Sequence, residues 1–305
     1  MSTLTYPDMR ERFFIKNSPV RGDVLRLSTS YAKIIAQKDY PLALQKLLGE
    51  MLVAAGLLIG TLKIEGRLSL QLQHNGVDNA SETRLKWAMA ECDDKGNLRG
   101  LADWQGDWSG LCSADDAFKT LGKTGEGVLF IHIQPTDSLM GGEGYQGIVE
   151  RVADNLADCL AHYQKQSVQI PTLINLACDG LQAGGMLLQL LPPTTAEERD
   201  ALDNDLFPRL GVLAKTLKSQ ELTTLSTNEI LFRLYHEEDV VTDVPMPLQF
   251  SCTCSAEKSA GAIFQLGKVQ ALEISHEQGG AIALDCGFCG QVYRYDMADI
   301  EQIFG

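Results

Sequence analysis

The sequence predicts an α+β protein in three parts: a mixed α/β N-terminal domain over residues 1–193, a helical linker over 194–247 and a small C-terminal module over 248–305. Three observations carry that division. The chain, at 305 residues, exceeds the usual size of one domain. Strand-like and helix-like apolar patterns mix up to the pair Pro192 and Pro193, through which neither a strand nor a helix continues. Beyond Pro245 and Pro247 the chain holds four of its eight cysteines.

Each element follows from its own pattern. Pro41 opens a helix in which Leu44, Leu47, Leu48, Met51 and Leu52 recur at spacings of three and four, lining one face. Leu68, Leu70 and Leu72, then Leu85, Trp87 and Met89, alternate as half-buried antiparallel strands do, with a turn-like stretch His74 to Ala80 between them. Val128 to Ile133 is a denser apolar strand closed by Pro135. Gln146 to Gln166 reads as a helix, with Ile148, Val152, Leu156, Cys159, Leu160 and Tyr163 on one stripe and Pro171 near its end. Met186 to Leu191 is a short apolar run. From Thr194 the chain turns helical and amphipathic, with Thr194 or Thr195 as a cap. Its apolar positions are Leu202, Leu206, Leu210, Leu213 and Leu217, then Leu222, Leu225, Ile230, Leu231 and Leu234. Such a stripe must be buried, either in a helical subdomain with its own core or as a cover on an apolar surface of the first domain.

Composition excludes several function classes. The 26 basic residues against 40 acidic ones, a net charge of −14, argue against binding to phosphate backbones or anionic lipid, so neither nucleic acid nor membrane is an expected partner. Asp8, Arg10, Glu11, Arg12 and Lys16 precede any apolar stretch, so no secretory signal is expected and a cytoplasmic location is. The run Met51 to Ile59 is far shorter than the roughly 20 residues of a membrane-spanning helix and reads as a buried helix. In such a compartment eight cysteines point to metal binding or redox chemistry rather than to a static disulfide framework.

The strongest chemical signal is Cys252-Thr-Cys254, 31 intervening residues, then Cys286-Gly-Phe-Cys289. Two close cysteine pairs brought together by a small β-rich module supply the tetrahedral four-sulfur shell that zinc prefers, one ion per chain. Gly287 and Gly290 suit the tight turn that aims two sulfurs at one metal. A structural zinc ribbon fits the second pair. In the first pair a single intervening residue leaves little slack, and a disulfide there would be strained and labile. A zinc ribbon that binds nucleic acid is disfavoured, because the module carries three basic residues against seven acidic ones. A thiol-disulfide oxidoreductase is disfavoured too, since its Cys-x-x-Cys opens a helix, whereas here Gly290-Gln-Val-Tyr-Arg-Tyr alternates like a strand.

Cys92, Cys112, Cys159 and Cys178 stand singly and read as small buried hydrophobes. His74, His132, His162, His236 and His276 show no joint ligand spacing. Gly122-Lys-Thr-Gly-Glu-Gly lacks the spacing of a phosphate-binding loop, and no Gly-x-Ser-x-Gly elbow occurs. No catalytic residue and no enzyme activity are expected.

Further segments carry a resemblance: Arg21-Gly-Asp-Val-Leu, Leu48-Gly-Glu-Met-Leu-Val-Ala-Ala, Tyr145-Gln-Gly-Ile-Val-Glu, His162-Tyr with Gln169-Ile-Pro-Thr, Ala183-Gly-Gly-Met-Leu-Leu-Gln-Leu-Leu-Pro, and Leu234-Tyr-His-Glu-Glu-Asp-Val. With the terminal cysteine pairs, these make the chain similar, over nearly its whole length, to the bacterial redox-regulated 33 kDa heat-shock chaperone family, the 33 kDa chaperonins. The resemblance implies an ATP-independent holdase, inactive while its four cysteines hold zinc. It implies activation by pairing of Cys252 with Cys254 and Cys286 with Cys289. It also implies a linker that covers a client-binding surface, unfolded proteins as partners, and a homodimer in the oxidised form. One departure stands out: where the family carries a basic stretch after the first pair, this chain reads Ser255-Ala-Glu-Lys-Ser.

Overall fold

The structure is a computed structural model that describes residues 7–76, 82–123, 126–136, 144–193 and 203–305. The chain divides after Phe250 into two compact units. In order, the first contains β1 (Met9–Ile15), β2 (Val20–Leu27), α1 (Thr29–Ile35), α2 (Leu42–Thr61), β3 (Gly66–His74), β4 (Arg84–Asp93), β5 (Asn97–Gln105), α3 (Ala114–Lys119), β6 (Gly127–Pro135), β7 (Tyr145–Val149), α4 (Leu156–Gln166), β8 (Thr172–Cys178) and β9 (Ala183–Leu190). It continues through α5 (Leu206–Ala214), α6 (Ser219–Thr224), α7 (Thr227–Tyr235), β10 (Val240–Thr242), β11 (Met246–Pro247) and β12 (Gln249–Phe250). The second unit contains α8 (Ala256–Leu266), α9 (Lys268–Glu277), β13 (Ala281–Asp285), β14 (Val292–Asp296) and α10 (Met297–Phe304).

Two sheets enclose α2. One runs β10-β1-β2-β9-β8, with β11 also on β1; the other runs β12-β5-β4-β3-β6-β7. Leucine and alanine around most of its circumference let α2 pack on both sheets, and Leu44, Leu47, Leu48, Met51, Leu52, Ala55 and Leu57 are fully buried. The helix is long and apolar enough to cross a membrane, but most of it is buried inside this core. The expected single apolar face is therefore an all-round one, the mark of a helix at the centre of a core.

The other face of the first sheet is covered by α5, α6 and α7. Leu206, Leu210, Ala214, Leu217, Leu222, Ile230, Leu231, Leu234 and Tyr235 form one apolar cluster with Phe13, Val20, Val24, Met186 and Leu188 of the sheet. Of the two dispositions open to the stripe, the structure has the cover. Polar contacts fix its seat: Asn175 Nδ2 donates to the Ala214 carbonyl at 3.1 Å, Thr227 Oγ1 donates to Glu11 at 2.7 Å, and Arg26 donates to the Leu225 carbonyl. A Cβ on Gly184 would run into the Leu222 carbonyl oxygen, so the backbone of α6 rests directly on β9. Leu213 departs from the predicted stripe. It is 36% exposed because α5 ends at Ala214 and turns that side outward. Leu202, Thr194 and Thr195 lie outside the described residues, as does most of the turn at His74 to Ala80.

Two further expectations are corrected. Residues 146–149 are not helical but belong to edge strand β7, paired antiparallel with β6 from Leu129↔Val149 to Ile133↔Tyr145. The helix starts at Leu156, where the Asn155 side chain accepts from the Asp158 amide. In β4 a bulge between Leu85 and Trp87 puts Leu85, Ala88 and Ala90 on the core face and leaves Trp87 and Met89 on the outer one.

The motif Arg21-Gly-Asp has a structural explanation. Asp23 is fully buried, 3.1 Å from Arg12 and 3.7 Å from Arg10, while Arg21 donates to Gln189 at 3.0 Å. These groups satisfy one another beneath the sheet.

Candidate metal centre

The second unit was expected to be β-rich; only the antiparallel hairpin β13–β14 is, and three helices make up most of the rest. Its core is small: Ile263, Ala271, Ile282, Tyr295 and Ile300 are buried, with partly buried neighbours such as Leu272, Leu284 and Phe304. Few apolar side chains are available here because the segment is short and acidic.

The hairpin builds the second cysteine pair. Between β13 and β14 the chain reverses within Cys286–Gln291. The Cys286 amide donates to the Gln291 carbonyl at 2.9 Å, and the Gly290 amide donates to the Cys286 carbonyl at 2.8 Å. Gly290 takes φ 69°, a left-handed conformation that glycine adopts without strain and that closes the turn predicted from its position. The first pair lies in the loop before α8, whose cap Ser255 accepts from the Lys258 amide; Lys258 Nζ in turn donates to the Thr253 carbonyl at 2.6 Å. Two tyrosines on one face of β14 reach this loop. Tyr293 Oη donates to Cys254 Sγ at 3.1 Å, and Tyr295 Oη donates to the Ala256 carbonyl at 2.6 Å.

All four predicted cysteines meet. The sulfurs of Cys252, Cys254, Cys286 and Cys289 lie within 4.8 Å of one another, all half-buried. Cys252 and Cys286 are 3.6 Å apart and Cys254 and Cys289 3.4 Å, and none is in a disulfide. Four sulfurs at about 2.3 Å from one ion would stand about 3.8 Å apart on a tetrahedron, so the cluster has the size and donor set of a four-thiolate metal site. The electrostatics agree. Burial, and then neighbouring thiols, push Cys289 up to about 12, and burial also raises Cys252, whereas the Tyr293 hydroxyl draws Cys254 down to about 7. Four crowded thiols resist ionising together, and a divalent cation removes that obstacle.

The four single cysteines stay apart from the cluster: Cys92 and Cys159 are buried as expected and Cys178 is half-buried with its thiol pushed up to about 12 by burial, but Cys112, expected to be buried, is exposed. None of these, and no histidine, joins a metal-sized cluster among the described residues. Tyr293 and Gly184 escaped sequence reasoning as site residues. The alternation of Tyr293 and Tyr295 in a strand running from the second pair was the available signal for the first; nothing local signals that a helix backbone rests on Gly184.

Comparison with known proteins agrees with this architecture. A sequence model of the Hsp33 protein family matches residues 8–296. The 33 kDa chaperonin of Pseudomonas paraeruginosa is 38% identical over 301 residues, covering 99% of this chain and 96% of the relative. That of Ectopseudomonas mendocina is 40% identical over 300 residues, covering 97% and 95%. The crystal structure of the 33 kDa chaperonin, or heat shock protein 33 homolog, from Thermotoga maritima superposes with a TM-score of 0.78 over 98% of both chains at 19% identity, a likeness of fold. With the family match spanning both units and relatives of this identity along the full chain, the protein belongs to the Hsp33 family of chaperones.

Proposed function

We propose that this chain is a redox-regulated, ATP-independent holdase of the cytoplasm, silent when reduced and metal-bound and active when oxidised. The observation that carries the reading is the cluster of four sulfurs within 4.8 Å in a unit of small core. Cys252, Cys254, Cys286 and Cys289 would hold one zinc ion, which when bound would keep all four as thiolates and tie the loop before α8 to the β13–β14 hairpin. The three-part division follows the same logic: a client-binding domain over 1–193, a helical linker over 194–247 that covers an apolar sheet face, and a redox-switch domain over 248–305. Exposing the face beneath α5, α6 and α7 would give unfolding proteins an apolar surface of the kind they bind. Family likeness adds the pairing Cys252–Cys254 and Cys286–Cys289, and a homodimer of the oxidised form. Each closure takes two electrons and two protons from a thiol pair, and hydrogen peroxide accepts both as its O–O bond breaks to give water.

Cys286–Cys289 closes first, because a bridge across two residues meets disulfide geometry and one across a single residue does not until the module unfolds. Full activation then needs oxidant together with unfolding stress such as warmth. Light-scattering assays of an aggregating client, run on the reduced zinc-loaded and the oxidised protein, test the function. Suppression at near-stoichiometric amounts by the oxidised form alone is expected. Equal suppression by both forms, or turnover of a dithiol substrate in excess, would overturn it. Time-resolved trapping of thiols tests the order, and a Cys252–Cys254 bridge appearing first would refute it.

A further inference from the structure

The four sulfurs share one chemistry, but their surroundings differ: backbone amides of Cys254 and Gln291 donate to Cys252 and Cys289, whereas Cys254 accepts from a side-chain hydroxyl. Tyr293 Oη donates to Cys254 Sγ at 3.1 Å, and the phenol is carried by a strand whose neighbouring tyrosine on the same face is anchored to the Ala256 carbonyl at 2.6 Å. The hydroxyl is thus held at one sulfur by the hairpin that also presents Cys286 and Cys289. A hydrogen bond donated to a thiolate draws electron density from sulfur and weakens it both as a metal donor and as a nucleophile.

We propose that Tyr293 is a positioning residue of the thiolate site, which lowers the nucleophilicity of Cys254 and makes it the sulfur that peroxide reaches last. The inference rests on the four-thiolate reading of the site. It gives the order of oxidation a cause beyond ring geometry. A sulfur of the second pair attacks the peroxide oxygen, forming a sulfenic acid and releasing hydroxide. Its partner thiolate then displaces a second hydroxide to close Cys286–Cys289. While the bound ion keeps all four sulfurs as thiolates, ionisation does not separate them, and Cys254, whose electron density the phenol draws off, does not compete for the first step. Oxidation therefore starts in the hairpin, whose two ligands form an unstrained bridge, and not in the loop before α8.

The test replaces zinc with cobalt(II) in the full-length protein and compares wild type with Tyr293→Phe and, as a control that loosens the loop without touching sulfur, Tyr295→Phe. Loss of the hydroxyl is expected to move the thiolate-to-cobalt charge-transfer band of Tyr293→Phe to lower energy and to leave that of Tyr295→Phe in place. With zinc bound, Cys254 of Tyr293→Phe is expected to be trapped by peroxide roughly three- to tenfold faster relative to the other three cysteines. A Tyr293→Phe band and Cys254 rate both equal to wild type would overturn the proposal while leaving the metal reading intact. A wild-type chain that takes up no cobalt would overturn the metal reading, and the inference with it. Should Tyr293→Phe fold too poorly to load, 3-fluorotyrosine at position 293, a stronger donor of the same shape, decides the matter. It must shift the band to higher energy, and an unmoved band overturns the proposal.

Discussion

A methyl group at position 184 has nowhere to go, because the carbonyl oxygen of Leu222 occupies its place. Gly184→Ala should therefore push α6 off β9 at a cost on the order of 1–3 kcal/mol, the usual range for overpacking a close contact. Expected is faster amide exchange in residues 219–235 and partial holdase activity of the reduced, metal-loaded protein; exchange identical to wild type would show that the contact does not hold the cover. Glu50 makes a second residue-scale argument. It lines a cleft of about 390 Å³ with Lys46, Asp115 and Cys178, and makes no hydrogen bond among the described residues. Burial, and then the Asp115 carboxylate, push its pKa up to about 8. Because this exceeds the unfolded value, the folded chain keeps a proton that the unfolded chain has lost. Stability contributed at this site thus falls as pH rises from the ordinary glutamate range towards 8 and levels off above it. Glu50→Gln should gain on wild type by on the order of 1–3 kcal/mol between about pH 6 and about pH 9, read from urea midpoints. A gap that does not widen with pH would place the carboxylate in water.

Among the elements, the cover separates its residues sharply. Leu210 is fully buried against the first sheet while Leu213, three residues on, is 36% exposed. Leu210→Ala should destabilise the seat of α5 by about 2–5 kcal/mol and Leu213→Ala by far less. Hydrogen exchange across residues 206–235 compares the two, and similar effects would mean that the helix does not present these faces as described. The periodicity of Leu206, Leu210 and Leu217 was legible in sequence because helical burial repeats in a way that neighbours along the chain reveal. What the stripe packs against was not, since its partners Phe13, Val24 and Met186 are distant in sequence and joined to it only by the fold. The misread segment shows the same limit. Ile148, Val152 and Leu156 have helical spacing, yet Ile148 is 67% exposed on an edge strand, and pairing with β6 outweighs the local pattern. The bulge at Leu85/Trp87 likewise inverted an alternation that looked regular.

At the scale of the molecule the two units differ in what sustains them. The second has five buried apolar residues, so chelation should unfold residues 251–305 while the sheets of the first unit, built around α2, persist. Exchange mass spectrometry after treatment with a chelator should find 251–305 deprotected and α2 unchanged; protection surviving in both would mean that the small core suffices alone. The cysteine spacing made this centre legible, because ligand pairs announce themselves within a few residues, whereas Tyr293 did not, its partner lying thirty-nine positions away. The chain between the cover and the cysteines has a consequence of its own. After α7 it is laced along sheet edges: β10 on β1 at Phe13↔Thr242 to Ile15↔Val240, β11 on β1 at Met9↔Pro247, and β12 on β5 at Gln249↔Asn97, with Cys252 two residues beyond Phe250. This stretch behaves as a fuse laid in three lengths. Unravelling that begins at Cys252 would have to burn through β12, then β11, then β10 before it reaches Tyr235, so brief or shallow damage there is expected to gutter out at the edge of β5 and to leave the cover in place.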